Sequence, residues 1–301
     1  MEARRHERVG LIPQFPVPVD DPGHHQHSRA LADVEVLVGL RHDRLTVDRR
    51  GGRIEPHHWG MRDAPDVVFV VSGYLSAYNA KAFGVHDYIA QLMFNSPPGL
   101  SDAMDLAKML AILEMIQPLS SPDFRIWKQT RTGLLSYPLD PAAARAHLAA
   151  SIYVQMALKP DIIHIVSYTE ADHAATADDV IESTRMAQRV INNALKGQPD
   201  MLADQTIQKR KNELISDASL VLDAIRALAL PSVPDPLTDP HTLARAVITG
   251  ILDAPQLKNN PFARGQISTR YLDGRCVAVF PDGTPMPESI RLANLRKESI
   301  S

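Results

Sequence analysis

The chain has 301 residues, 45% of them hydrophobic and 22% charged, with a formal net charge of −3 and a pI near 6.5. Those values suit one large α/β domain or two smaller ones, and no basic stripe with interleaved aromatics points to a nucleic acid. Cys276 is the single cysteine, which excludes an intrachain disulfide and fits a reducing, cytoplasmic setting. No apolar stretch follows the charged start, so no signal peptide is expected, and no window approaches the roughly 18 apolar residues of a membrane span.

Residues 1–65 stand apart in composition. They hold seven of the twelve His, ten Arg and six Pro, with one apolar run, Val34–Leu40. Proline at 13, 16, 18 and 22 opposes regular structure. His24, His25 and His27 crowd too closely for an ordinary tetrahedral site, and a solvated, irregular arm is the expected reading. No metal site is expected.

From Asp66 the texture changes. Val67-Val68-Phe69-Val70-Val71 reads as a strand buried on both faces, and Ile89–Phe94 as a second. Ser101 and Asp102 open a helix whose apolar positions, Met104, Leu106, Met109, Leu110, Leu113 and Ile116, recur at three and four. Phe124–Lys128 is a third strand. An alanine-rich helix starts at Pro141 and runs to Leu158. Asp161–Val166 is the fourth and clearest strand, followed by a helix over Ala177–Leu195 that ends at Gly197. Beyond it the pattern predicts a long helix near Leu202–Leu228, a linker at 231–236, and a short helix from Pro240 to Gly250. A hairpin of Gln266–Tyr271 and Arg275–Phe280 turns at Asp273-Gly274.

The alternation implies a parallel sheet or barrel with right-handed crossovers, and the expected fold is a partial TIM-type (β/α) barrel of about four units with a helical and hairpin C-terminal extension. The expected organisation is an irregular segment over 1–65, a β/α half-barrel over 66–200, and the extension over 201–301. A closed barrel needs eight strands, twice this number. Chemistry in such folds sits in loops after the strands, here 72–79, 95–101, 129–140 and 167–175.

No GxGxxG, GxxxxGK[ST] or GxSxG element occurs. In the loop after the fourth strand, Glu170, Asp172 and His173 have the chemistry of hard-metal ligands or of a general acid and base. The competing reading has Thr169 and Asp172 capping the next helix, with Glu170 and His173 solvated. In the loop after the third strand, small residues let a flat ligand approach, and Tyr137 offers a face for stacking; Leu134 and Leu135 suit a packed strand end equally well.

Taken together, Tyr137-Pro138-Leu139-Asp140, the strand Ile162–Val166 with Thr169-Glu170-Ala171, and the helix end Ala194-Leu195-Lys196-Gly197-Gln198 resemble the large, substrate-binding barrel subunit of the glutamate mutase (methylaspartate mutase) family. The likeness runs from about Phe124 to Gln198, continues more weakly at Gly250–Pro255 and the terminal hairpin, and covers the C-terminal half of that subunit. It implies an isomerase that rearranges a carbon skeleton with adenosylcobalamin, converting glutamate to 3-methylaspartate by radical chemistry shielded from solvent. It also implies a small cobalamin-binding partner subunit, because the chain lacks the DxHxxG element of a corrin-binding domain.

By position, Tyr137 and Pro138 match cofactor contacts, with Tyr where the family has Phe. Glu170 matches the carboxylate on the adenosyl ribose, and Ala174 stands where the family has a larger aliphatic contact. Val166 replaces a family lysine. The family reads its substrate from an N-terminal half without a counterpart here, which implies either a separate N-terminal half-barrel or self-association. A non-catalytic assembly role is the alternative.

Overall fold

A computed structural model describes residues 51–54 and 57–298 of the chain. The cluster His24, His25, His27 and most of the segment expected to be irregular lie outside the described residues. Within 51–65, Gly51–Ile54 form strand β1, and Trp59 and Ala64 are buried in the main core.

The Val67–Val71 run is not a strand. It opens helix α1, Asp66–Ala82, after Pro65, and all five residues are buried. A short apolar run carries no period of its own to separate a buried strand from a buried helix. Here Ser-Gly-Tyr-Leu-Ser-Ala-Tyr-Asn-Ala continues the run without a turn signal, and twelve of the seventeen helical residues are buried. The loop expected over 72–79 is therefore the body of this helix.

Strand β2 spans Asp87–Phe94 and helix α2 spans Asp102–Ile116. Ser101 caps α2 as expected, accepting a hydrogen bond from Met104 N. Strand β3, Arg125–Thr132, runs four residues further than the sequence pattern predicts, so 129–132 belong to the sheet. Helix α3, Pro141–Gln155, continues as a 3₁₀ turn to Leu158. Strand β4 is short, Ile162–His164, and helix α4 is Ala177–Lys196 with Gly197 at its end.

The sheet is all parallel in the order β1-β2-β3-β4. Its strands alternate with helices, and it does not close among the described residues. Side-chain parity identifies its helical face. Tyr88 donates to Ser76 of α1 at 3.0 Å, and Thr132 donates to Ser151 of α3 at 2.9 Å. Register pairs Phe94 with Thr132, and Phe94 shares parity with Tyr88, so α1 and α3 lie on one face. Gln91, Met93, Gln129, Arg131, Ile162 and His164 have the opposite parity and point to the other face.

The expected helical arm is α5, Gln205–Arg226. It is not peripheral: Leu214, Ala218, Val221 and Ile225 join the core formed by α1 and α2. Helix α6 is Pro240–Ile248, and the hairpin is Thr269–Leu272 (β5) with Arg275–Ala278 (β6). Asp273 and Gly274 both take positive φ, 49° and 74°, as a two-residue turn between twisted strands requires. Helix α7, Glu288–Glu298, has no counterpart among the expected elements; its Arg291 grips Glu288 and the carbonyls of Gly250 and Ile251. Among the described residues no helix is long and apolar enough to cross a membrane.

Candidate functional site

The carboxyl ends of β2, β3 and β4 meet in a network of buried polar groups. Leaving β2, Asn95 takes a positive φ of 56° and donates its N–H to the Asp105 carboxylate of α2. Its side-chain oxygen accepts from Ser151 at 2.7 Å. Lys108 lies 2.9 Å from Asp105, donates to Ser96 O at 2.7 Å, and sits 4.4 Å from the centre of the Phe69 ring. Asp105 and Lys108 are fully buried, and burial pushes the Asp105 carboxyl up while Lys108 opposes the shift. The sequence signal for this pair is two charged side chains at i and i+3 amid Leu106, Ala107 and Met109, a spacing shared with ordinary exposed helix pairs.

Leaving β3, Gly133 passes so close to β2 that a Cβ there would lie 2.8 Å from Asn95 O. A 3₁₀ turn, Leu134–Ser136, follows. Ser136 Oγ donates to Gly133 O at 2.6 Å and lies 2.7 Å from His147 Nε2. Tyr137 is 5% exposed. Its hydroxyl donates to Val166 O at 3.1 Å, and the His147 ring meets it edge-on at 5.3 Å. Burial raises the Tyr137 hydroxyl pKa; Glu170 adds to the rise and Arg131 works against it. Pro138 and Leu139 are exposed before Asp140 caps α3.

Leaving β4, Val166 is buried against Tyr137. Glu170 is half-buried and accepts the Ser167 N–H at 2.8 Å through Oε1. Tyr168 is 6% exposed, and Arg145, stacked 4.4 Å from its ring, binds both its hydroxyl and Glu182. That cluster fastens α3 to α4. Ala174 is exposed.

Tyr137 and Glu170 therefore come together at one end of the sheet, on the exits of adjacent strands. Pro138 and Ala174 lie on the rims of the same two loops. The acid–base trio fares differently. Asp172 and His173 are exposed and bonded to one another at 2.9 Å, whereas Glu170 is bonded to the backbone. No group of three metal-ligating side chains occurs among the described residues. Nor do Thr169 and Asp172 cap α4: Thr176 and Asp179 do so, as a reciprocal capping box.

Two further residues at this end are absent from the sequence-derived candidates. Arg131 and His164 face each other in the β3–β4 register. A β3 that stops at Lys128 leaves Arg131 in a loop, where its partner cannot be identified. A cleft of about 720 Å³ lies elsewhere, lined by Asp63, Lys258, Arg264, Thr269 and Tyr271.

Comparison of the chain with protein-family models and with curated proteins finds no match.

Proposed function

We propose that this chain is a subunit of an adenosylcobalamin-dependent carbon-skeleton mutase resembling glutamate mutase. On this reading the sheet is a partial (β/α) barrel that contributes the adenosyl-facing side of the site in the cytoplasm. A small cobalamin-binding subunit carries the corrin. The observation that carries the reading is the meeting of Tyr137 and Glu170 over the exits of β3 and β4. The two loops that bear the family likeness are separate in sequence, and the fold makes them neighbours.

The residues fit the nucleoside in part. Glu170 uses one carboxylate oxygen on Ser167 N–H, and Oε2 carries no hydrogen bond among the described residues, so it suits a ribose hydroxyl donor. Ala174 and Pro138 are exposed and small enough to border a ligand. Tyr137 does not fit as a stacking face, because it is buried and its hydroxyl is tied to Val166 O. It serves as the wall that fixes the β4 exit behind Glu170. Val166 gives that wall no cation where the family has lysine. When bound, adenosylcobalamin supplies the radical chemistry; this chain orients the adenosyl group and keeps water from it.

The test combines the purified chain with a small cobalamin-binding mutase subunit and adenosylcobalamin, then measures corrinoid retained through gel filtration. Retention that depends on this chain, and falls about tenfold in Glu170→Gln, is expected. No chain-dependent retention overturns the reading. The chain with the small subunit alone is expected to give no turnover.

One feature favours the second reading, a non-catalytic half-barrel that assembles with another half-barrel or with itself. Leu139 before α3, and Val180 and Ile181 near the start of α4, are exposed, and β4 pairs only with β3 among the described residues. A monomeric mass in solution contradicts that reading.

A further inference from the structure

On the face of the sheet opposite α1 and α3, the ends of β3 and β4 carry a guanidinium beside an imidazole. Arg131 and His164 are register partners, and paired residues of parallel strands point to the same side. Both are half-buried. Glu170 follows His164 in the loop leaving β4, where it accepts the Ser167 N–H. Two residues before Arg131 on β3, about 7 Å along the strand, Gln129 points the same way. It is 6% exposed, and its side-chain oxygen is buried with no hydrogen-bond partner among the described residues. A buried acceptor left unsatisfied costs free energy that a donor on a ligand would recover.

We propose that Arg131 and His164 read an oxyanion, carboxylate or phosphate, on a small ligand whose N–H or O–H groups reach the Gln129 oxygen and Glu170. The planar guanidinium supplies two parallel donors to an oxyanion, and the imidazole on the next strand supplies a third. Arg131 and His164 already make polar interactions within the chain, so the ligand joins or exchanges with those rather than filling a vacant socket. The location rests on the site reading above, and the chemistry rests on these side chains alone.

The experiment uses the full-length chain without corrinoid and measures binding of glycerate and, separately, glycerol phosphate, each an oxyanion carrying hydroxyl donors, by ligand-observed NMR. At least one probe binds the wild-type chain, and binding weakens at least tenfold in Arg131→Gln and less in Arg131→Lys. Whichever probe binds identifies the oxyanion. His164→Gln is a milder second variant, expected to weaken binding several-fold with an unchanged circular dichroism spectrum. The proposal is overturned if neither probe binds the wild type, or if folded Arg131→Gln or His164→Gln binds as the wild type does. Adenosylcobalamin retention is read independently, so either result can fail alone.

Discussion

Replacing Lys108 with Met removes a cation that is 0% exposed and leaves Asp105, 1% exposed, in the core with the Asn95 N–H as its remaining donor. The side-chain volume is nearly kept, so packing changes little. Breaking a buried pair from one side costs about 3–5 kcal/mol, against a total stability of about 5–15 kcal/mol for an ordinary domain. Urea denaturation at pH 7 should therefore show a midpoint lowered by about a fifth or more with little change in slope. The pH dependence adds a second check. Burial already raises the Asp105 carboxyl above its unfolded value, and Lys108 opposes that rise. A group raised in this sense binds more protons when folded, so stability falls as pH rises from the unfolded value through the folded one. Without Lys108 the interval widens, and the penalty should be greatest at neutral pH and shrink on acidification. The double variant Asp105→Asn with Lys108→Met keeps an acceptor for Asn95 without charge and should recover most of the loss. A Lys108→Met cost below about 1 kcal/mol, or one that does not change between pH 7 and 5, refutes the reasoning.

Three other outcomes follow from contacts elsewhere in the fold. Thr176→Ala removes half of the α4 capping box and should cost about 1 kcal/mol in denaturant titration. Tyr137→Phe loses the hydrogen bond to Val166 O and should cost about 1 kcal/mol, with no change in the far-ultraviolet spectrum. Cys276 is 1% exposed, and burial together with Asp66 pushes its thiol up to about 12. It should resist a disulfide-exchange reagent at pH 8 in the native protein and react fully once unfolded.

Much of the fold is legible where local signals agree with packing. Ser101 and Asp140 accept backbone N–H groups of α2 and α3, Pro141 has no N–H to leave unpaired, and Gly197 donates to Ala194 O, so these helix ends are marked within their own segments. The Val67–Val71 run misleads because β-branched residues favour strands only when a pleated neighbour is there to receive them. This run packs inside α1 against α2 and α5. Strand β3 reads short because Gln129, Thr130, Arg131 and Thr132 are polar. They are held in the sheet by pairing with β2, which no local pattern encodes.

The candidate site divides in the same way. The loops bearing Tyr137 and Glu170 stand out by likeness, and the fold brings them together. The burial of Tyr137 is not legible, because it depends on Ala144 and Leu148 of α3 and Val166 beyond β4 closing around it. Arg131 and His164 are hidden for a related reason. Their common face follows only from the β3–β4 register.

The most direct test of the cofactor-facing role is adenosine binding to the isolated chain, followed by saturation-transfer NMR of the ribose protons. Transfer to the ribose in the wild type, lost in Glu170→Gln and kept in Arg131→Gln, is the predicted result. Equal transfer in the wild type and Glu170→Gln, or none in either, would contradict a nucleoside site at the exits of β3 and β4.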